Sequence, residues 1–179
     1  MLPAMVMEYL PKAKETSILM SRNKPVVVVG LMGSGKTTVA LLLAQALGVP
    51  MSDSDPYLRK RYGRSAAEIA RAEGADVLHE REAEHVLSAL GENQVVAAAA
   101  STVERPEVRE ALKEAFVIWL DATPEVLAER MKSSDHRPDF DPALMKARRD
   151  PYFRQIADLR VDVTSALPQE VADKAIDAM

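Results

Sequence analysis

Residues 25–37 read PVVVVGLMGSGKT. The first part is a continuous β-branched run, which is typical of a strand buried on both faces of a parallel sheet. The second part, Gly30–Thr37, satisfies the pattern G-x-x-x-x-G-K-[ST], and apolar residues at helical spacing follow it as far as Gly48. The stretch therefore predicts a strand, a glycine-rich turn and an amphipathic helix in direct succession.

This succession predicts a site for phosphate groups. The glycines allow backbone N–H groups to converge on an anion, and the helix N-terminus adds its positive end. A lysine at position 36 would place its charge on the β- and γ-phosphates, and the Thr37 hydroxyl could bind Mg²⁺. A turn that only reversed the chain would leave Lys36 unexplained, so we expect a nucleoside triphosphate to bind here. The loop residues expected to contact it are Gly33, Ser34, Gly35, Lys36, Thr37 and Thr38.

Composition excludes several other classes of protein. The 179 residues include 23 Lys and Arg against 27 Asp and Glu, a net charge of −4, which argues against a nucleic-acid-binding protein. The absence of cysteine rules out disulfides, thiolate metal sites and a cysteine nucleophile, and it fits a reducing compartment. No apolar run approaches the roughly 20 residues that span a bilayer. We therefore expect a cytoplasmic protein that binds neither nucleic acid nor membrane.

The order of the predicted elements indicates one domain. Residues 1–24 are expected to form a disordered or extended leader. They are not a signal peptide, because charges interrupt any apolar core. In residues 25–179 strands alternate with helices, which predicts a parallel sheet covered by helices on both faces. Further strands are predicted at 94–100 and 116–120, and a more exposed strand at 161–163.

Capping residues predict where the helices begin. Asp55 precedes a proline and is expected to be an N-cap, and Ser65 with Glu68 forms a capping box. Thr123 and Asp141 each precede a proline and are expected to start helices in the same way. Another helix is predicted over 106–115, and Pro151 is expected to bend or interrupt the helix that contains it.

The phosphate-binding loop does not by itself separate kinases, GTPases and ATPase motors. The N-K-x-D guanine motif of small GTPases is absent, whereas Phe116–Asp121 loosely fits the apolar strand and terminal aspartate of a motor ATPase. The segment Asp53-Ser54-Asp55 follows the predicted second strand, so its carboxylates would emerge beside the phosphates. One of them could bind Mg²⁺ through water, and the other could accept a proton from an attacking hydroxyl.

With these motifs the chain resembles the shikimate kinase family over about residues 25–165. The resemblance rests on GLMGSGKTT at 30–38, DSD at 53–55, GRSAAEI at 63–69, WLDATPE at 119–125, Arg137-Pro138, and Arg149-x-Pro-Tyr with Ile156-Ala157-Asp158 after it. It implies an α/β P-loop three-layer sandwich with a parallel sheet of about five strands in the order 2-3-1-4-5. It also implies a short lid at about 133–141, and ATP with Mg²⁺ as cofactors.

The resemblance also implies roles for single residues on the nucleotide side. Lys36 and Thr37 correspond to residues that hold the triphosphate and Mg²⁺, and Asp53 corresponds to the carboxylate near the metal. Arg130 corresponds to an adenine-side arginine, and Arg137 to the lid arginine that reaches the phosphates.

On the acceptor side the family pattern is only partly present. Asp55 corresponds to the contact with the substrate hydroxyl and to the expected base, and Arg149 to the arginine that binds the substrate carboxylate. The arginine of the family's F-R-x-x-E segment is His79 here, and imidazole lacks the permanent charge and the fork of a guanidinium. The family's three glycines are Ala99, Ala100 and Ser101, whose Cβ atoms would obstruct a close backbone approach. Either Arg59 or Arg81 could compensate for His79.

The acceptor-site residues also have plain structural interpretations. His79 could lie half-exposed on a helix surface, the alanines could be strand core, and Arg148-Arg149 could be a solvated pair at a helix C-terminus.

Three hypotheses follow from this pattern. The leading one is an ATP- and Mg²⁺-dependent kinase, with Lys36, Asp55 and Arg137 as catalytic residues, acting on the hydroxyl of a small carboxylated molecule. Shikimate is the best single candidate, and another polyol or sugar acid is the next. The alternative is a non-catalytic nucleotide- or ligand-sensing protein on the same scaffold, and a motor or assembly ATPase is a weaker third hypothesis. The chain is expected to be a monomer or a weak homodimer.

Overall fold

A computed structural model describes residues 24–132 and 140–179. It contains one five-stranded parallel sheet in the order β2-β3-β1-β4-β5. The strands are β1 (Val26–Gly30), β2 (Met51–Asp53), β3 (Val95–Ala97), β4 (Phe116–Asp121) and β5 (Leu159–Asp162). The expected fold class and strand order are thereby confirmed. The predicted leader, the larger part of the predicted lid and Arg137 lie outside the described residues.

Helices connect the strands and pack on the sheet. They are α1 (Lys36–Leu47), α2 (Ser54–Tyr62), α3 (Ala66–Glu73), α4 (Ala75–Ala89), α5 (Pro106–Ala111), α6 (Pro124–Met131), α7 (Pro142–Ile156) and α8 (Pro168–Ala178). Helix α1 packs against β1 and β3, α7 against β4, and α8 against β5 and α1. Short 3₁₀ segments occupy Ala100–Glu104 and Leu112–Glu114. No helix within the described ranges is long and apolar enough to cross a membrane.

The centre of the sheet is apolar, and its carboxyl edge is polar. The four valines of β1, residues 26–29, are almost completely buried between β3 and β4. Because all strands are parallel, their carboxyl ends lie at one edge, where Gly30, Asp53 and Asp121 end β1, β2 and β4. Binding sites of open α/β sheets lie at this edge.

A second, smaller core lies beside β2. Leu58, Ile69 and Leu78 come from α2, α3 and α4, and all three are fully buried against one another. This cluster joins the three helices into one unit, which carries both Asp55 and His79.

An aromatic contact fixes α7 on the sheet. Phe153 stacks on Trp119 of β4, with ring centroids 5.7 Å apart, and both side chains are buried. Arg149 lies one helical turn before Phe153 and is therefore held on the same, inward face of α7.

The predicted helix starts are confirmed at three of four positions. The backbone N–H of Glu68 donates to Ser65 Oγ at 3.2 Å, that of Val126 to the Thr123 hydroxyl, and that of Leu144 to the Asp141 carboxylate. The fourth prediction was wrong, because β2 passes directly into α2 and makes Asp53, not Asp55, the N-cap residue.

Three further boundaries differ from the predictions. The third strand ends at Ala97 instead of continuing to residue 100, because Ala100 already begins a 3₁₀ turn. The helix expected over 106–115 becomes 3₁₀ after Ala111. Helix α7 continues through Pro151 without interruption.

Candidate active site

The phosphate-binding loop has a geometry that requires glycine. Gly30, Gly33 and Gly35 have φ values of +150°, +86° and +92°, which L-residues with a side chain rarely adopt. A Cβ on Gly30 would lie 2.6 Å from the Leu120 carbonyl oxygen, so β4 and the loop could not approach this closely with any other residue.

Lys36 lies at the start of α1 with its ammonium group turned onto the loop. Its Nζ donates to the carbonyl oxygens of Gly30, at 2.8 Å, and of Leu31, at 3.1 Å. Burial lowers the pKa of this ammonium to about 8, although the negative charges of Asp53 and Glu82 act in the opposite direction. A positive group is thus held at the loop in an environment that favours pairing with an anion.

Thr37 and Asp53 bring two oxygen atoms together beside the loop. The Thr37 hydroxyl donates to Asp53 Oδ2 at 2.7 Å, which joins the first turn of α1 to the end of β2. Mg²⁺ in nucleotide sites is bound by one or two protein oxygens together with phosphate oxygens and water. The pair therefore fits the predicted magnesium ligands.

A cavity of about 240 Å³ lies on one side of the loop, and we refer to it as the Arg130 cavity. Its lining includes Gly33, Ser34, Gly35, Thr38, Arg130, Val163, Ala166 and Pro168. Arg130 donates to the Gly33 carbonyl at 3.1 Å and to the Val163 carbonyl at 2.8 Å, so it connects the loop with the end of β5. Four predicted nucleotide contacts and Arg130 therefore line one cavity.

A second cavity, of about 270 Å³, lies on the other side of the loop, and we refer to it as the Arg149 cavity. Its polar lining consists of Lys36, His79, Glu82, Ser101, Asp141 and Arg149, and its apolar lining of Met32, Ala99, Ala100, Phe140, Leu144 and Met145. The structure thus brings together all the predicted acceptor residues except Asp55. Lys36 belongs to this cavity and to the phosphate-binding loop, so the two cavities meet at the loop.

Arg149 is buried in the middle of α7, which excludes the interpretation as a solvated arginine at a helix end. Its Nε donates to Glu104 Oε2 at 3.2 Å, and Glu104 also pairs with the neighbouring Arg148. Burial lowers the pKa of Arg149, and the Glu104 carboxylate opposes this shift. A guanidinium held in this way could bind a carboxylate that enters the cavity.

The segment that replaces the three glycines has ordinary backbone geometry. Ala99 has φ −60° and ψ 142°, and no residue other than glycine has positive φ in the described ranges. Ser101 is buried, and its hydroxyl donates to Glu82 Oε1 at 3.0 Å. Where the family has three glycines, the cavity is therefore lined by two alanines and by a serine whose hydroxyl is hydrogen-bonded.

Asp55 is not among the described residues that line the Arg149 cavity. Its Oδ2 accepts from Arg59 Nε at 2.9 Å, and its Oδ1 accepts from the backbone N–H of Ala66 at 2.8 Å. The carboxylate therefore stabilises the start of α3 in addition to any chemical role.

The two arginines that could compensate for His79 are engaged elsewhere. Arg59 pairs with Asp55, and Arg81 makes two hydrogen bonds to Glu73, at 2.7 and 3.0 Å. The Arg81 guanidinium also lies 4.0 Å from the centre of the Tyr62 ring. Neither arginine lines the Arg149 cavity that the described residues enclose.

Asp121 has the position of the carboxylate in the motor-ATPase interpretation, but its hydrogen-bond partners are side chains of α7 and β5. It accepts hydrogen bonds from Lys146 of α7, at 2.5 Å, and from Arg160 of β5. Burial alone would raise the pKa of Asp121, and these two cations outweigh that effect and lower it. The residue serves to join α7 and β5 to the end of β4.

Sequence reasoning missed several residues of the site. Glu82 was visible as the last residue of the F-R-x-x-E segment, but nothing in the pattern indicated its contact with Ser101. Glu104 and the apolar wall around Leu144 come from segments without a motif. No sequence signal marked Val163, Ala166 and Pro168, which reach the Arg130 cavity only because β5 and α8 meet there.

Comparison with known proteins agrees with the resemblance noted in the sequence. The family model for shikimate kinase matches residues 32–179. The shikimate kinase of Symbiobacterium thermophilum is 42% identical over 166 residues, which cover 86% of this chain and 95% of that protein.

Solved structures show the same fold. The shikimate kinase of Acinetobacter baumannii in complex with shikimate superposes with a TM-score of 0.83 at 24% identity, covering 91% of this chain and 95% of that one. The shikimate kinase of Aquifex aeolicus has a TM-score of 0.72 at 27% identity, covering 86% of this chain and 95% of that one. Since the family model spans most of the chain and a relative exceeds 40% identity over nearly its whole length, the chain belongs to the shikimate kinase family of P-loop phosphotransferases, which act on a hydroxyl group.

Proposed function

We propose that the chain transfers the γ-phosphoryl group of ATP, with Mg²⁺, to a hydroxyl of a small carboxylated acceptor, and that shikimate is the best single candidate. The observation that carries this proposal is the Arg149 cavity, which joins a buried guanidinium to the lysine of the phosphate-binding loop. An acceptor bound to Arg149 through its carboxylate would have its hydroxyls on the side of Lys36. Relatives named shikimate kinase support the choice of acceptor.

The chemistry requires mainly positioning and compensation of charge. The nucleotide would occupy the Arg130 cavity with its phosphates over the loop, where Lys36 would exchange its contacts with Gly30 and Leu31 for phosphate oxygens. Thr37 and Asp53 would hold Mg²⁺, which would supply positive charge to compensate that of the phosphates.

Asp55 is the proposed acceptor of the hydroxyl proton. Asp55 lies in the first turn of α2, two residues after the proposed metal ligand, and a positioned base contributes about 10²- to 10⁴-fold to a rate. Arg137 is proposed to reach the phosphates from the lid at about 133–141.

We also propose that the enzyme acts in the cytoplasm, where ATP is available, as a monomer or a weak homodimer. No role for nucleic acid is proposed for a chain of net charge −4.

The test is ADP release with shikimate, quinate and gluconate as acceptors. We expect acceptor-dependent turnover with shikimate, and wild-type protein without acceptor gives the background of ATP hydrolysis. If calorimetry shows ATP binding while none of the three acids stimulates ADP release, the kinase proposal is wrong. The non-catalytic sensor hypothesis predicts that result.

A further inference from the structure

The polar groups of the Arg149 cavity are unevenly distributed. Arg149 lies on α7, whereas Glu82 and Ser101 lie on α4 and the 3₁₀ segment that follows β3. The guanidinium of Arg149 and the carboxylate–hydroxyl pair of Glu82 and Ser101 therefore lie on different elements of the cavity, whose remaining polar lining is Lys36, His79 and Asp141.

The Ser101 hydroxyl is restricted by its partner. Its proton is donated to Glu82 Oε1 at 3.0 Å, and both side chains are buried, with 7% exposed in each case. A serine hydroxyl has one donor and two acceptor lone pairs. Once the proton is used, the oxygen can only accept a hydrogen bond from a group in the cavity.

An acid group of the acceptor has a better partner elsewhere in the cavity. A carboxylate would find no proton on Ser101, because that proton is donated to Glu82. The Arg149 guanidinium in the same cavity offers donors that suit a carboxylate.

The neighbours of Ser101 provide no alternative polar side chain. Ala99 and Ala100, which also line the cavity, have methyl side chains, and the backbone dihedral angles of Ala99 are those of an extended residue. Within the segment 99–101, Ser101 is therefore the position at which a side chain can select a polar group of the acceptor.

We infer that Ser101 is a specificity-determining residue that accepts a hydrogen bond from a hydroxyl of the acceptor, with Glu82 fixing the orientation of its proton. This inference rests on the proposed function and extends it, because it orients the acceptor with its acid group on Arg149 and a hydroxyl on Ser101. The acceptor is therefore an acid with several hydroxyl groups, one of which donates a hydrogen bond to Ser101.

The test is acceptor binding, measured by calorimetry in the presence of Mg·ADP. The probes are shikimate and its three monodeoxy analogues, each of which lacks one ring hydroxyl. We expect wild-type protein to bind one analogue about tenfold more weakly than shikimate, which is the effect of losing one hydrogen bond of ordinary strength. In S101A the dissociation constants of that analogue and shikimate should differ by less than about threefold.

Two further variants secure the interpretation. S101G also removes the hydroxyl, and it introduces the residue of the family pattern, so it should reproduce the result if S101A does not fold. S88A removes a hydroxyl from the same helix as Glu82, where the Ser88 hydroxyl donates to the His85 carbonyl at 3.0 Å, and it should keep the wild-type ratio.

The inference is overturned if the ratio of dissociation constants is the same in wild type and in the Ser101 variants, or if wild-type protein binds no shikimate. Binding does not require turnover, so the two proposals fail separately. If Ser101 determines the preference for shikimate over the analogue but the protein releases no ADP, the proposed kinase activity is contradicted and the role of Ser101 stands.

Discussion

Asp55 shows at the scale of one residue how a structural and a chemical role can share a carboxylate. One oxygen accepts from Ala66 N–H at the start of α3, and the other accepts from Arg59. A loss of activity in a variant of Asp55 could therefore arise from a displaced helix or from a missing base, and a test must separate the two.

We predict that D55N lowers kcat about 100-fold and changes the dissociation constant of Mg·ATP by less than about twofold. Asparagine keeps an oxygen for the Ala66 N–H but cannot take up a proton. Steady-state kinetics and calorimetry measure the two effects. S65A is the matched control, because Ser65 caps the same helix from outside the site. A similar loss of kcat in S65A, or unchanged kcat in D55N, would remove Asp55 from the role of base.

His79 permits a test of the acceptor pocket. Its side chain lines the Arg149 cavity, where a guanidinium would add a second positive group for a carboxylate. We predict that H79R strengthens shikimate binding about tenfold, since charge-assisted hydrogen bonds are about twice as strong as neutral ones. S88R adds the same charge to an exposed position of the same helix and should leave the affinity unchanged. An equal gain in both variants would indicate a general effect of charge.

At the scale of elements, the glycines of the phosphate-binding loop differ in how closely the surrounding atoms pack against them, although their φ angles are all positive. Gly30 has both, because its positive φ coincides with the contact to the Leu120 carbonyl. Gly35 has positive φ, but a Cβ there would meet no atom within 4 Å.

We predict that G30A lowers the free energy of unfolding by more than about 3 kcal/mol and that G35A lowers it by about 1 kcal/mol. The difference arises because a Cβ at position 30 would force β4 and the loop apart, whereas position 35 has only the dihedral penalty. Urea denaturation at neutral pH measures both values. Equal losses in the two variants would contradict the close packing at Gly30.

The elements that could be predicted from sequence are those with strong local signals. These signals depend on a few neighbouring residues, and the structure has the corresponding elements where they were expected. They are the valines of β1, the phosphate-binding loop and the capping residues Ser65, Thr123 and Asp141. The error at Asp55 arose because an aspartate before a proline favours an N-cap locally, while the direct passage of β2 into α2 moves that position to Asp53. The alanine run after β3 was also ambiguous, since alanine packs equally well in a strand or a helical turn.

At the scale of the whole molecule, the sheet order followed from family resemblance, whereas the two cavities depend on contacts between distant segments. Ser101 and Glu82 are 19 residues apart in sequence, and Arg149 and Glu104 are 45 apart. Such pairs carry no local pattern, so one sequence predicted the candidate residues better than it predicted their partners.

The stability of the whole molecule should depend on pH through His85. This buried ring lies 2.7 Å from Ser52 Oγ and packs on Tyr57, and burial lowers its pKa to about 4. The unfolded state takes up a proton near pH 6.5, well before the folded state does. Stability is therefore lost as the pH falls from 6.5 towards 4, by at most about 1.4 kcal/mol per unit.

Urea denaturation at pH 7, 5.5 and 4.5 measures this dependence. The lowered pKa of Asp121 contributes in the same direction at the acid end of the range. We predict a smaller slope for H85Q, which keeps a polar side chain next to Ser52 but does not titrate. Parallel slopes in wild type and H85Q would assign the pH dependence to other groups.

Binding of Mg·ATP to the loop of residues 30–37 is the premise of the proposed kinase activity, and calorimetry tests it directly. We expect wild-type protein to bind one equivalent of Mg·ATP, and K36A to bind it at least about 30-fold more weakly because the charge that faces the phosphates is gone. In the absence of nucleotide, the melting temperature of K36A should stay close to that of wild type, because the hydrogen bonds of the Lys36 ammonium group within the described residues go to two loop carbonyls. If saturating Mg·ATP produces neither heat nor a shift of the wild-type melting temperature, the loop does not bind ATP.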